Sequence, residues 1–199
     1  ELQAALGNTL LPKLSTIVEK RIANATILNK RFEGSPCLQA QKLEHSNDRH
    51  SYYLYPMTYS ESIIGLPRSL FAKAVCAELP KPSNWETIPI VEGYCQPLYW
   101  SDLYQKQIAI GKNGFPFKLS PGASASYQRG SCPVTEQLYL KDQFYTALIM
   151  ECNGEDEMHD FADACEKVIY NASSIKDKLG DSITDGSIKL SHDRINDLK

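Results

Sequence analysis

The sequence predicts an α+β domain with two layers, in which a small sheet of about three strands is packed by helices. The 199 residues, 42% of them hydrophobic and 23% charged, suffice for one core or at most two. In the long segments apolar residues recur at three- and four-residue steps, which is typical of helices that bury one face. Short aromatic stretches lie between them and are typical of strands.

The chain begins with a long N-terminal helix. Residues 1–6 are strong helix formers without a cap or an initiator Met, so we expect that a preceding segment has been removed. Pro12 predicts a break or kink, after which apolar residues at positions 14, 18, 25, 28 and 32 continue the helix. Gly34-Ser35-Pro36 predicts its end.

The next elements are strands and a second helix. Residues 37–43 alternate weakly, as a short strand would, and residues 50–59 (HSYYLYPMTY) form the clearest strand in the sequence. Pro56 predicts that the far end of this strand lies at a sheet edge or a bulge. A helix opens at Pro67 and stops before Pro80. Its predicted inward face is Leu70, Phe71, Ala74, Val75 and Leu79.

Residues 87–94 are predicted as a strand that leads into a turn and short helix over residues 97–105, a stretch dense in Tyr, Pro and Trp. Residues 106–130 are rich in Gly, Ser and Pro and predict a long surface loop anchored by Phe115 and Phe117. Loops of this length are usually functional or mobile.

The last part of the chain predicts a short helix over residues 133–140, a strand over residues 143–151 and a final helix capped by Asn153. The inward face of that helix is Met158, Phe161, Ala162, Cys165, Val168, Ile169 and Ala172. We therefore divide the chain into a linking helix (1–34), a main domain (35–179) and a polar, loosely held tail (180–199).

Charge and hydropathy exclude several functions. The net charge is −3, the pI is about 5.8 and no block of Lys and Arg occurs, so neither a nucleic acid nor an anionic membrane is expected as a partner. No apolar run approaches the ~18 to 20 residues that cross a bilayer. We expect a soluble, cytoplasmic protein.

Metal-binding patterns are equally absent from the sequence. Six cysteines include no C-x-x-C pair, and four histidines are scattered. The sequence therefore predicts no metal site and reduced, mostly buried thiols. Cys132 has no nearby histidine, so its predicted role is packing.

Six segments form a recognisable pattern in order along the chain: Glu1-Leu2-Gln3-Ala4-Ala5-Leu6-Gly7 with Leu10, Leu14 and Arg21; Ser51-Tyr52-Tyr53-Leu54-Tyr55; Arg68, Leu70 and Leu79; Gly93-Tyr94 with Pro97-Leu98-Tyr99; Cys132-Pro133-Val134-Thr135-Glu136; and Asp160, Ala164 and Lys167-Val168. Each is weak alone. Together they resemble the C-terminal (small) domain of the DegT/DnrJ/EryC1/StrS family of pyridoxal phosphate (PLP)-dependent sugar aminotransferases.

This resemblance implies the small domain of a fold-type I enzyme. Such an enzyme is a homodimer that transfers an amino group, usually from glutamate or glutamine, to a keto sugar bound to a nucleotide or to a related cyclitol. The chemistry requires a Schiff-base lysine and an aspartate at the pyridine nitrogen. In the family both precede the segment that matches Glu1, so the resemblance implies that this chain holds no catalytic residue. PLP would be bound by the full-length enzyme only, and this chain alone is predicted to be inactive.

The resemblance also implies a substrate side at the turn containing Tyr99, where many family members have a histidine. Tyr99 is either a ring and hydroxyl for the sugar or a packing residue at the edge of the core. Tyr94 and Tyr104 are weaker substrate candidates. Arg129 either binds a substrate phosphate or carboxylate through two N–H groups of its guanidinium, or is a solvated loop residue. Glu136 either contacts substrate or, as a residue of a helix start, caps or pairs within the domain.

Two classes of function therefore remain at this stage. One is the C-terminal part of a PLP-dependent aminotransferase whose cofactor-binding half is absent from this chain. The alternative is a non-catalytic module of the same fold that binds sugar nucleotides or another protein.

Overall fold

A four-stranded antiparallel sheet forms one of the two layers of the fold. The structure is a computed structural model that describes residues 1–45, 47–84, 87–107, 110, 115–117 and 126–179. The strands are β1 (Leu38–Ala40), β2 (Tyr55–Tyr59), β3 (Val91–Glu92) and β4 (Gln143–Thr146), in the spatial order β1-β2-β4-β3.

The helices of the described residues are α1 (Leu2–Leu10), α2 (Leu14–Arg31), α3 (Glu61–Ile64), α4 (Arg68–Glu78), α5 (Asp102–Lys106), α6 (Pro133–Gln137), α7 (Glu155–Tyr170) and α8 (Ala172–Leu179). Helices α2, α4 and α7 form the second layer. Helix α7 packs against both α2 and α4. The buried faces of these three helices and one face of the sheet share a single core. The two-layer prediction therefore agrees with the structure.

Successive side chains of a strand point to opposite faces of the sheet, so every second residue of the central strands enters this core. On β2, Tyr55, Met57 and Tyr59 are buried, and on β4 Phe144 lies directly opposite Met57. Tyr59, Phe71 and Phe144 form an aromatic trio whose ring centroids lie 5.0 to 5.5 Å apart. The trio joins β2, α4 and β4 at the centre of the domain.

The sheet differs from its prediction in strand number and strand length. Four strands are present instead of about three, because the weak segment 37–43 contributes β1. β2 begins at Tyr55 and not at residue 50. Upstream, Tyr52 has a φ of 50°, and its N–H donates to His50 Nδ1 at 2.8 Å. A left-handed residue ends an extended run, so residues 50–54 cannot continue the strand.

Pro56 does not place β2 at the sheet edge, because β2 lies between β1 and β4. However, β1 pairs only with residues 57–59, whereas Pro56 faces Tyr145 of β4. Pro56 therefore has a strand on one side only. This is the local condition that a residue without an N–H requires.

The strands predicted over residues 87–94 and 143–151 are also shorter in the structure. β3 ends before Gly93, which has a φ of 62° and donates its N–H to Gln143 O at 2.8 Å. A Cβ at position 93 would lie 3.0 Å from Tyr139 O, so glycine is required there. β4 stops at Thr146, whose hydroxyl accepts the N–H of Leu148 at 3.1 Å. The apolar residues 147–150 are buried in turns instead.

The N-terminal helix is interrupted where Pro12 predicts a break. A 3₁₀ turn over Leu11–Lys13 separates α1 from α2, and α2 ends at Arg31, shortly before Gly34 with its φ of 73°. No residue of α1 is buried. Helix α1 therefore contributes nothing to the core of this domain.

The final helix is amphipathic as predicted, but its cap is not Asn153. Gly154 precedes α7 and donates its N–H to the Glu157 carboxylate at 2.8 Å, whereas the Asn153 amide donates to Leu148 O at 2.9 Å. The helix also divides at Asn171 into α7 and α8. The predicted tail over residues 180–199 lies outside the described residues.

The prediction of mostly buried thiols is wrong. Cys37 and Cys165 are buried, Cys76 is half-buried, and Cys95, Cys132 and Cys152 are exposed. Cys132 therefore does not have the packing role that its motif predicted. It precedes α6, where its carbonyl accepts the N–H of Glu136 at 3.0 Å.

Candidate functional site

The segment after β3 forms a short arm that carries Tyr99 and Tyr104. A 3₁₀ turn over Leu98–Trp100 follows the buried Pro97, and α5 begins after Ser101. The hydroxyl of Ser101 donates to Leu98 O at 2.9 Å, which closes the turn. The predicted turn and short helix over residues 97–105 are therefore present. Most of the long loop predicted after them lies outside the described residues.

Tyr99 meets Glu136 of α6. The Tyr99 hydroxyl donates a hydrogen bond to Glu136 Oε1, and the N–H of Gly130 donates to the same oxygen at 2.6 Å. The hydrogen bond from Tyr99 lowers the pKa of Glu136 most, and burial opposes it; the N–H of Gly130, the indole of Trp100 and the charge of Arg129 lower this pKa further. We call this three-residue arrangement of Tyr99, Gly130 and Glu136 the carboxylate clasp.

Arg129 lies over the ring of Trp100, with its guanidinium carbon 4.3 Å from the ring centroid. This is a cation–π contact between the loop before α6 and the turn that carries Tyr99. The edge of the Trp100 ring packs against Tyr139 at 5.7 Å between centroids. The clasp and this stack therefore tie the same two segments together at neighbouring residues.

A cavity of about 350 Å³ opens beside this stack. Trp100, Arg129 and Tyr139 form one part of its wall, and Arg68 and Glu92 form another part; the remaining lining residues are Glu61, Pro67, Ser69, Gln96, Leu140 and Lys141. Among the described residues, neither Tyr99 nor Glu136 lines it. The carboxylate clasp therefore lies behind the wall and not in it.

A buried ion pair in the cavity wall was missed by the sequence analysis. Arg68 Nε donates to Glu92 Oε2 at 3.3 Å, and the two side chains are 6% and 7% exposed. Arg68 Nη1 also donates to the carbonyls of Tyr139 and Gln143 at 3.0 and 3.1 Å. Burial lowers the pKa of Arg68, and the charge of Glu92 opposes that shift. The sequence did contain one signal for this pair: Arg68 stands at the start of a helix face that is otherwise apolar, where a charged side chain needs a partner.

Tyr104 lies on the same arm as Tyr99 but belongs to a separate aromatic cluster. Its ring packs against Tyr127 and Phe117 at 5.2 and 5.9 Å between centroids. Gln105 reinforces the cluster, because its amide donates to Tyr99 O at 2.6 Å and to Tyr127 O at 2.7 Å. Phe117 is therefore an anchor of the long loop, as the sequence predicts, whereas Phe115 is exposed.

Tyr94 is not brought together with the other predicted site residues. Its ring packs edge-on against Tyr145 at 5.5 Å, on the side of the sheet that faces away from the core helices. Neighbouring Cys95 and Tyr53 raise the pKa of the Tyr94 hydroxyl. The structure thus groups Tyr99, Arg129 and Glu136, with Tyr104 beside them and Tyr94 elsewhere.

A second surface feature is an apolar stripe at the N-terminus. We call Leu2, Leu6, Leu10, Leu11 and Leu14 the N-terminal leucine stripe; they are 51 to 80% exposed. Leu2, Leu6 and Leu10 recur every four residues and therefore share one face of α1, whereas Leu11 lies in the 3₁₀ turn and Leu14 begins α2. The stripe borders an open groove of about 510 Å³ that Tyr53 also lines.

The described residues contain neither a metal-binding cluster nor a membrane-spanning helix. They contain no group of three His, Cys, Asp or Glu side chains that could hold a metal ion. None of the described helices is long and apolar enough to cross a membrane.

The architecture is that of a small mixed domain, with helices on one face of an antiparallel sheet and an exposed apolar N-terminal stripe. The chain belongs to the DegT/DnrJ/EryC1/StrS aminotransferase family, because the sequence profile of that family matches residues 1–111. This match ends before Cys132-Pro133, so it does not cover the motif that contains Glu136.

A solved structure supports the fold. The chain is similar to the aminotransferase TlmJ from Streptoalloteichus hindustanus, with a TM-score of 0.53 and 14% sequence identity, over 81% of this chain and 34% of that one. This chain therefore spans about a third of the length of that structure. At this identity the likeness concerns the fold alone. No curated protein matches the sequence significantly.

Proposed function

We propose that this chain is the C-terminal, small-domain part of a PLP-dependent aminotransferase of fold type I. The whole enzyme would transfer an amino group to a keto sugar on a nucleotide or to a related cyclitol. The observation that carries the proposal is the family match over residues 1–111. In the same proposal residues 1–34 link the domain to the cofactor-binding half, and the enzyme is a cytoplasmic homodimer.

The lysines that the structure describes do not fit a PLP site within this chain. A Schiff-base lysine has to be held in an enclosed pocket beside the cofactor. Among the described residues no lysine is buried, and Lys141, the lysine in the cavity wall, is exposed. This supports placing the cofactor chemistry outside the described part of the chain, and we derive no step through PLP from these residues.

The residues of this chain would act on the substrate side. Tyr99 is half-buried, so part of its ring remains available to a sugar, while its hydroxyl is oriented by Glu136. Arg129 presents a guanidinium held over the Trp100 ring, and the N–H groups of this guanidinium suit a phosphate or carboxylate. Tyr104 would support the arm that carries Tyr99. Tyr94, on the other side of the sheet, is a weaker candidate.

Trapping of PLP tests the proposal. Incubated with PLP and reduced with borohydride, the chain alone is expected to give no stoichiometric adduct, whereas a longer polypeptide containing the upstream half should carry one on a lysine before Glu1. That longer polypeptide should also transaminate a nucleotide-linked keto sugar. Peptide mapping by mass spectrometry locates the adduct. A specific adduct within residues 1–199 would contradict the proposal that the upstream half binds PLP. A longer polypeptide that binds no PLP would favour a non-catalytic binding module.

The N-terminal leucine stripe is the surface that we propose meets the cofactor-binding half. Covering one leucine side chain contributes about 1.5 to 3 kcal/mol, so an uncovered stripe should make the chain self-associate. The double variant Leu10→Glu/Leu14→Glu should lower the average mass towards that of the monomer in light scattering at high concentration. Leu140→Glu, at an equally exposed leucine away from the stripe, is the control. A wild-type chain that stays monomeric at every concentration would contradict this role.

A further inference from the structure

Glu136 holds together two chain segments that the sequence separates. Tyr99 lies 37 positions before it and Gly130 six positions before it, and both donate to one carboxylate oxygen. The flanking residues Trp100 and Arg129 are in turn stacked on each other in the cavity wall. We propose that Glu136 is a positioning residue, whose carboxylate clasp fixes the Trp100–Arg129 wall of the cavity without itself touching a ligand.

The hydrogen-bond geometry favours positioning over direct binding. Oε1 of Glu136 already accepts two donors, and bonds to an ionised carboxylate are stronger than neutral ones. Gly130 has a φ of 92°, a conformation that side chains rarely adopt, so the chain turns sharply in order to aim its N–H at the carboxylate. Arg129 precedes this turn directly. Its position over Trp100 therefore depends on where the clasp holds Gly130.

The obvious alternative is that Glu136 only stabilises the start of α6 through the helix dipole. A carboxylate in that role would need no specific partner. Here, however, the side chain receives its hydrogen bonds from Tyr99 and Gly130, outside the helix. The two roles make different predictions for Trp100, because dipole stabilisation alone would not fix the environment of that ring.

The protein offers a spectroscopic reporter for the clasp. It contains two tryptophans, Trp85 and Trp100, so Trp85→Phe leaves Trp100 as the single emitting indole. In that background, Glu136→Gln replaces the charged acceptor by a neutral one of the same shape. We expect the ratio of closed to open clasp to fall about fivefold. Acrylamide quenching of Trp100 should rise accordingly, with unchanged far-ultraviolet circular dichroism.

A pH titration adds a signature that a purely structural role would not produce. The pKa of Glu136 lies below the usual range of a glutamate, so the clasp is present at neutral pH and is lost as the pH falls through that lowered value. The groups that act on it are the Tyr99 hydroxyl, the Gly130 N–H, the Trp100 indole and the Arg129 guanidinium. The Cys132 thiol acts on the Tyr99 hydroxyl. Trp100 emission should change in this acidic range, and the change should vanish in Glu136→Gln.

Two further variants complete the experiment. Tyr99→Phe removes the other partner and should raise both the quenching and the pH of the transition, so the inference remains testable if Glu136→Gln folds poorly. Glu155→Gln removes an acidic group from the first turn of α7 and should leave Trp100 unchanged. Unaltered quenching in both clasp variants, or the same acidic transition in Glu136→Gln, would overturn the inference. Since the test needs neither cofactor nor substrate, its failure is distinct from failure of the proposed function.

Discussion

Arg68→Met is expected to lower the free energy of unfolding by about 3 to 5 kcal/mol, which is the usual cost of removing one partner of a buried ion pair. The substitution takes the counter-charge from Glu92, whose side chain is 7% exposed. It also removes the donor that the carbonyls of Tyr139 and Gln143 accept from. Chemical denaturation followed by circular dichroism measures the effect.

A double variant separates the ion pair from simple packing. Arg68→Met/Glu92→Leu removes both charges of the pair, so the part of the loss that comes from the Glu92 carboxylate without Arg68 should return. The part that comes from the missing donor to the carbonyls of Tyr139 and Gln143 should remain. Arg129→Met serves as the matched control, because Arg129 is exposed and its contact with Trp100 contributes about 0.5 to 1 kcal/mol. If the free energy of unfolding of Arg68→Met lies within about 1 kcal/mol of the wild-type value, the ion pair does not stabilise the wall of the cavity.

The sequence predicted the helices better than the strands, and the reason is physical. Along α7, Met158, Phe161 and Cys165 repeat with helical spacing because a single face of one rigid element is buried. Residues 147–150 are equally apolar but are buried in turns after β4, and a short apolar run does not distinguish a strand from a buried turn. The positive φ of Tyr52, which ends the strand early, could not be predicted from the sequence, because tyrosine is not a residue type that favours positive φ.

The candidate site was predicted as separate residues and not as a site. The sequence analysis selected Tyr99, Arg129 and Glu136 individually, but the contacts Tyr99–Glu136 and Trp100–Arg129 join segments about thirty positions apart or more, which no periodicity encodes. The Arg68–Glu92 ion pair was missed for the same reason, because its two residues lie far apart in the sequence. Tyr94 belongs to the same family-like segment as Tyr99. The strand geometry then sends its ring to the other side of the sheet.

The second large loss of stability is expected from a substitution at the centre of the core. Phe144→Ala is expected to destabilise the domain by about 3 to 5 kcal/mol, because the ring is fully buried and its removal leaves a cavity beside Tyr59 and Phe71. β4 is a central strand with partners on both sides, so the surrounding structure has little freedom to collapse into the space. Thermal and chemical unfolding measure the loss.

The neighbouring residue supplies the matched control, because successive side chains of a strand point to opposite faces. Tyr145 is half-buried and contacts Tyr94 on the face away from the helices, so Tyr145→Ala should cost less than Phe144→Ala: about 0.5 to 1.5 kcal/mol for the aromatic pair, plus the smaller apolar area that the half-buried ring covers. Phe144→Leu should fall between the two, since it keeps part of the buried volume. Equal losses from Phe144→Ala and Tyr145→Ala would mean that both faces of the sheet are packed in solution.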